Sequence, residues 1–251
     1  MPMKSYKKLC TEFYDLDKPS APEDALSFIK KYLAPIDGPV LEPMSGSGRF
    51  LIPLFQRGVK IEGLDPSQDM LKACRELCKR ENIKPVLYEG CLESMSLSRS
   101  YELIFILSGS FGLITDQHWV TKSMERLFEH LTPQGTLIIE IETPNGKESG
   151  LQDWSIRSVN RPDGAQITCR SQGNYSPENR VDNVYCEYRL IQNGKIVGVE
   201  FEELSIRYFE LKEFSDLLNN AGFVRIESFR PYGNINSTEE DERAVFICRK
   251  A

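Results

Sequence analysis

Residues 39–50 read PVLEPMSGSGRF: a short apolar run, an acid at Glu42, the turn Gly46-Ser47-Gly48, and the start of a second apolar stretch. Glycine reaches backbone angles closed to other residues and carries no Cβ to hold off an approaching group. A strand, a glycine turn and a helix in that order belong to the carboxyl edge of a parallel sheet, the edge at which such sheets bind ligands. The following strand candidate, VKIEGLD, also ends on an acid: Asp65 lies 65 − 42 = 23 positions after Glu42.

Working outward, strand and helix patterns alternate from about residue 38 to 142, which predicts a parallel sheet with helices on both faces. Ser20-Ala21-Pro22-Glu23 reads as a capping box for a helix with Leu26, Ile29, Tyr32 and Leu33 on one face. Ser67 is placed to cap SQDMLKACRELCKREN, and Thr115 or Asp116 to start DQHWVTKSMERLFEHL. KPVLYEG and YELIFILSGS read as strands, Thr132-Pro133-Gln134-Gly135 as a turn, and TLIIEIET as the fifth strand. From 146 to about 209 the helical pattern disappears. Asn193-Gly194 there separates two alternating stretches, a strong hairpin signal, with Val184, Cys186, Tyr188 and Leu190 on one face. A helix ending at Gly222 and two strands, VRIESFRP and RAVFICRK, complete the pattern. The fold class is α/β: a doubly wound, seven-stranded, mostly parallel sheet with an antiparallel β insertion after the fifth strand. One domain spans 1–251, with an N-terminal helical segment at 1–37, the α/β core at 38–142 and 205–251, and the insertion at 146–204.

The chain of 251 residues can bury a full core, and its 31 basic and 37 acidic side chains give a net charge of −6. That balance argues against a polynucleotide partner, whose binding rests on phosphate neutralisation. Two histidines exclude a His-rich metal site, and Cys74 and Cys78, four apart on a helix, supply too few ligands for zinc. Seven scattered cysteines without a C-x-x-C pair, an N-terminus without a signal-type apolar core, and the lack of an apolar run of about 18 residues predict a soluble, cytoplasmic protein with no membrane partner.

For the crevice, two kinds of nucleotide ligand compete. A dinucleotide site wants a third glycine for close helix packing beside a pyrophosphate. Leu51 stands at that place, so a nucleoside without a pyrophosphate fits better, its ribose hydroxyls held by Asp65.

These residues carry a resemblance. VLEPMSGSGRFLIPLFQRGVKIEGLDPSQDMLKACR resembles the first two motifs of class I S-adenosylmethionine-dependent methyltransferases. The likeness continues through LYEGCLESMSLSRSYELIFILSGSFGLI and LTPQGTLIIEIE to the closing strands AGFVRIESFRP and AVFICRK, the last antiparallel to the rest. It implies S-adenosylmethionine as cofactor, with Glu42, Met44 and the Ser45–Gly48 backbone (Ser45, Gly46, Gly48) beside its methionine part and ribose. It further implies Asp65 on the ribose hydroxyls, Pro66 or Met70 on the adenine, Cys91 and Leu92 at the adenine edge, and Ser108 close to the transferred methyl. Tyr14 and Phe13 resemble a lid segment over the cofactor, and the insertion a substrate cover. Met44 stands where the family's first glycine is usual, and Cys91 where an aspartate is usual.

Methyl transfer from a sulfonium needs alignment of an acceptor lone pair more than a catalytic triad or metal, so no catalytic residue is assigned. His118 is a candidate base if the acceptor holds its proton. Ser108-Gly109-Ser110-Phe111 lacks the Asn/Asp-Pro-Pro-aromatic run of nucleobase methylases. The expected reaction is therefore transfer to nitrogen or oxygen of a small molecule, with Tyr175, Tyr188, Arg207 and Tyr208 as candidate acceptor contacts. The competing readings are a cofactor-binding protein without turnover and a nicotinamide-dependent oxidoreductase.

Overall fold

A computed structural model describes residues 6–251. Helices α1 (Lys8–Asp17) and α2 (Glu23–Leu33) precede β1 (Val40–Pro43), α3 (Leu51–Phe55), β2 (Ile61–Asp65), α4 (Gln68–Arg80), β3 (Val86–Glu89), β4 (Tyr101–Ile106), α5 (Gln117–Glu129) and β5 (Leu131–Glu142). Five strands follow: β6 (Gly150–Leu151), β7 (Ser155–Asn160), β8 (Gln166–Ser176), β9 (Val181–Gln192) and β10 (Lys195–Arg207). Then come α6 (Leu211–Asn220), β11 (Phe223–Phe229) and β12 (Arg243–Lys250).

The main sheet has the order β11-β12-β5-β4-β1-β2-β3. β1 to β5 run parallel, and β12 lies antiparallel between β5 and β11. This is the seven-stranded, doubly wound sheet expected from the alternation. The chain winds outward from β1 through β2 to β3, then crosses to β4 on the other side, so a crevice opens beyond β1 where the winding reverses. α2, α3 and α4 pack on one face around Ile29, Leu51, Leu54 and Cys74, while α5 and α6 cover the other around Val120, Leu127, Phe214 and Leu218. Each of these large apolar side chains contributes about 1.5–3 kcal/mol on burial.

Local signals set most helix ends. Ser67 Oγ accepts the Met70 N–H, and Asp116 accepts those of His118 and Trp119, so both caps are as expected. Ser20 does not cap α2. Pro22 holds that position without a side-chain bond, and Glu23 and Asp24 instead complement the positive end of the helix. Thr132-Pro133-Gln134-Gly135 is not a separate turn but an excursion inside β5, whose pairing steps from Tyr101↔Leu131 to Leu103↔Thr136.

The insertion forms a second sheet, β10-β9-β8-β6 with β7 also on β8, all antiparallel. Its hairpin turns at Asn193 and Gly194, both with positive φ as a two-residue primed turn requires. α1 covers one face of this sheet: Leu9, Cys10 and Phe13 pack on Ile167, Cys169, Cys186 and Tyr188.

The first turn of α1 has no cap of its own. Two acids of β10 fill the role, with Lys7 N–H donating to Glu202 at 2.6 Å, and Leu9 and Cys10 N–H donating to Glu200 at 3.1 and 2.8 Å. Charged acceptors on helix N–H groups contribute about 1–2 kcal/mol each. The double substitution of Glu200 and Glu202 by alanine is expected to raise hydrogen exchange across α1 roughly tenfold or more while leaving β4 and β5 protected. Unchanged exchange in α1 would refute this account of how the helix is held.

Among the described residues, no helix is long and apolar enough to cross a membrane.

Candidate functional site

The crevice beyond β1 is lined by Glu42, Met44, Ser45, Gly46, Ser47 and Arg49 from the first strand and its turn, and by Asp65 and Met70 from the second unit. Leu107, Ser108, Ser110 and Leu113 line it from the segment after β4, and Tyr6 and Tyr14 from the N-terminal segment. The two tyrosine rings meet edge to face at 6.2 Å, and the Arg49 guanidinium lies 5.5 Å from the Tyr14 ring. Tyr14, Glu42, Met44, Ser45, Gly46, Asp65, Met70 and Ser108, eight of the expected residues, are thus brought together.

Four others are not among the lining residues. Gly48 packs instead: a Cβ there would lie 2.7 Å from Cys74 Sγ, and its φ is +87°. Leu92 is buried in the core on the α5 and α6 face, while Pro66 and Cys91 are half-buried beyond the lining. Phe13 belongs to the core under α1. His118 is exposed in the first turn of α5 against Trp119 and is not among the residues lining the crevice.

The acceptor-side expectations divide. Tyr188 is enclosed beneath α1, and the Arg207 guanidinium bonds Thr115 O, Gln117 and Glu213. Neither is available to an acceptor. Tyr175 and Tyr208 stack edge to face at 5.6 Å, and the backbone after Tyr208 bonds Glu142 at the end of β5.

Met44 resolves the departure at the first glycine position. Its φ is +57°, so methionine adopts the left-handed conformation a glycine would take, at a cost of about 1–2 kcal/mol. Ser108 does the same at φ +59°. There its N–H donates to buried Glu140 at 2.7 Å and its hydroxyl accepts from Arg49 Nη2 at 2.7 Å, two bonds that hold the turn. The sequence reading missed Tyr6, Arg49, Leu107, Ser110 and Leu113. Arg49 follows the glycine turn directly, and its charge beside Glu42 was the signal that could have marked it.

The acids carry the electrostatics. Asp65 Oδ2 accepts the Gly46 N–H at 2.7 Å and Oδ1 the Ser67 N–H at 2.8 Å, which fixes both oxygens and leaves each a further lone pair. Burial pushes the Asp65 carboxyl up to about 6, opposed by those two N–H groups. Burial likewise holds Glu42 well above the usual carboxylate range, opposed by Arg49. Glu42 Oε2, Ser45 Oγ and Arg49 Nε are buried without a hydrogen-bond partner. Three such atoms around one crevice mark a place for a polar ligand.

A pH dependence follows. Because native Asp65 binds its proton more tightly than the unfolded chain, its contribution to stability is full below about 3.8 and declines until about 6, then stays level. A ligand whose hydroxyls donate to this carboxylate needs it ionised. Through Asp65, affinity for S-adenosylhomocysteine is therefore expected to fall toward tenfold per pH unit below about pH 6. Asp65→Asn should remove that slope, and a titration series on both proteins decides the point.

Residues 40–135 match the family described as a methyltransferase domain. A Bacillus subtilis protein named as a methyltransferase, YqeM, is 19% identical over 240 residues, 95% of this chain and 94% of its own. The dTDP-3-amino-3,6-dideoxy-alpha-D-glucopyranose N,N-dimethyltransferase of Streptomyces fradiae is 27% identical over 146 residues, 55% of each chain. Among solved structures, an S-adenosylmethionine-dependent methyltransferase from Clostridium acetobutylicum superposes with a TM-score of 0.79 at 16% identity, covering 97% of this chain and 98% of that one. The sugar N-methyltransferase KedS8 from Streptoalloteichus gives 0.76 at 16% identity, covering 94% and 92%. The match over 40–135 spans the glycine turn, Asp65 and β4, and the whole chain shares the fold of the S-adenosylmethionine-dependent methyltransferase from Clostridium acetobutylicum.

Proposed function

We propose that the chain transfers the methyl group of S-adenosylmethionine to a nitrogen or oxygen of a small-molecule acceptor by in-line displacement. The observation that carries this reading is the convergence of Glu42, Arg49 and Asp65 on one crevice. Glu42 Oε2 lacks a donor and Arg49 Nε an acceptor, a pair that matches the ammonium and carboxylate of an amino-acid end. The second lone pairs on the Asp65 oxygens suit the two hydroxyls of a ribose. When bound, the cofactor supplies a methyl group already activated by positive sulfur. The chain's task is to hold that end beneath Tyr14, exclude water, and bring the acceptor to the lip formed by Ser108. Positioning of this kind contributes up to about 7–11 kcal/mol.

Leu51 is fully buried in the core, so the helix after the turn packs through a side chain rather than the close glycine approach of a pyrophosphate site. Small-molecule acceptors are supported by the names of the Streptomyces fradiae relative, an amino-sugar N,N-dimethyltransferase, and of KedS8, a sugar N-methyltransferase. Cysteines that form no disulfide support a reducing, cytoplasmic location as part of the same reading.

The test is transfer of labelled methyl from S-adenosylmethionine across a panel of amino sugars, alkylamines and phenols, with cofactor binding measured in parallel. Cofactor binding with transfer to one class is the expected result. Tight binding with no transfer to any class would favour the reading without turnover.

A further inference from the structure

β5 ends in two acids on the same side of the strand, Glu140 and Glu142, since side chains two apart share a face. Glu140 is fully buried and satisfied: it accepts the Ser108 N–H at 2.7 Å and the Tyr232 hydroxyl at 2.6 Å, and pairs with Arg243 at 3.3 Å. Glu142 differs. It is half-buried, and no hydrogen-bond donor or ion-pair partner among the described residues reaches its carboxylate. A carboxylate partly removed from water without a donor is costly, and a bound cation offsets that cost.

Its position gives the cation a role. Glu142 Oε1 lies 3.3 Å, and Cγ 3.1 Å, from where a Cβ on Gly109 would stand. The carboxylate therefore sits hard against the left-handed Ser108–Gly109 turn, with φ +59° and +68°, and Ser108 forms the lip of the cofactor crevice. The other charged and titratable groups facing it are Lys147, Lys18, Arg243, Glu140 and Tyr208. Lys147 stands over the Tyr208 ring at 4.2 Å and Lys18 over the Tyr14 ring at 5.1 Å. Burial raises the Glu142 carboxyl, and Lys147 acts against burial, which favours the ionised form.

We propose that Glu142 is a catalytic residue that receives the acceptor as an ammonium and takes its proton, so that the methyl acceptor is a primary or secondary aliphatic amine. This rests on the methyl-transfer reading above. In the step, the N–H proton passes to the Glu142 carboxylate and the nitrogen lone pair forms the N–CH₃ bond. The S–CH₃ bond breaks with its electron pair left on sulfur. An alkylammonium titrates near the ~10.4 of lysine and is lowered by desolvation, within reach of a raised carboxylate. An aliphatic hydroxyl, close to the ~15.7 of water, is not.

The experiment uses the full chain saturated with S-adenosylhomocysteine, and cyclohexylammonium and cyclohexanol as probes of equal shape, with binding followed by protein NMR. The ammonium should bind at least tenfold more tightly than the alcohol. Glu142→Gln should abolish that preference while leaving S-adenosylhomocysteine affinity within about twofold of the parent. Equal or undetectable binding of the probes, or a preference that survives Glu142→Gln, overturns the proposal and leaves the methyl-transfer reading standing. Failure of S-adenosylhomocysteine itself to bind overturns both.

Discussion

Asp65→Ala is expected to weaken S-adenosylhomocysteine binding about 100-fold or more. Hydrogen bonds to a charged group contribute about 1.5–3 kcal/mol each, and two ribose hydroxyls share this carboxylate, so a loss near 3 kcal/mol is the lower end. The substitution also strips the Gly46 and Ser67 N–H groups of their acceptor, which loosens the turn beneath the ligand. Asp65→Asn keeps an acceptor oxygen and should fall between the two. Calorimetric titration of the three proteins, beside their melting curves, separates lost binding from lost fold. An Asp65→Ala protein that melts like the parent and binds within threefold of it would remove Asp65 from the site.

Gly48→Ala is expected to destabilise the fold by about 2–5 kcal/mol. The new Cβ would lie 2.7 Å from Cys74 Sγ and 3.1 Å from Ile52, at φ +87°. Left-handed strain accounts for about 1–2 kcal/mol and overpacking for about 1–3. These two terms can be told apart, because only the second depends on Cys74. A double-mutant cycle with Cys74→Ala should show a favourable coupling of about 1 kcal/mol or more. Additive effects would mean that the glycine serves the backbone alone. The same result would bear on function, because Gly48 holds the turn against α4 rather than facing the crevice.

What the sequence made legible was what neighbouring residues decide. The glycine turn after β1, the acid closing β2, the Ser67 and Asp116 caps and the Asn193-Gly194 hairpin are all written within a few positions. The sheet follows from their order, since short right-handed crossovers leave few alternatives. What stayed hidden depends on pairs far apart. Glu200 and Glu202 cap α1 from about 190 residues away, and nothing near Lys8 announces it. Arg49 reaches Ser108 across 59 positions. Met44 shows the other limit: nothing in its residue type announces the left-handed φ of +57° that it adopts.

The acceptor side was harder still. Tyr188 and Arg207 have the chemistry of ligand contacts, but the fold uses one to seat α1 and the other to tie β10 to α5 and α6. Glu142 drew no notice in the sequence, because an acid at a strand end is common. It stands out only once its neighbour Glu140 is seen to be fully bonded and it is not.

The most direct measurement is a crystal structure of the protein with S-adenosylhomocysteine. The ribose hydroxyls are predicted within about 3 Å of Asp65, with the amino-acid end between Glu42 and Arg49 and the sulfur toward Ser108. A ligand bound elsewhere, or a crevice without ligand at saturating concentration, would contradict the account.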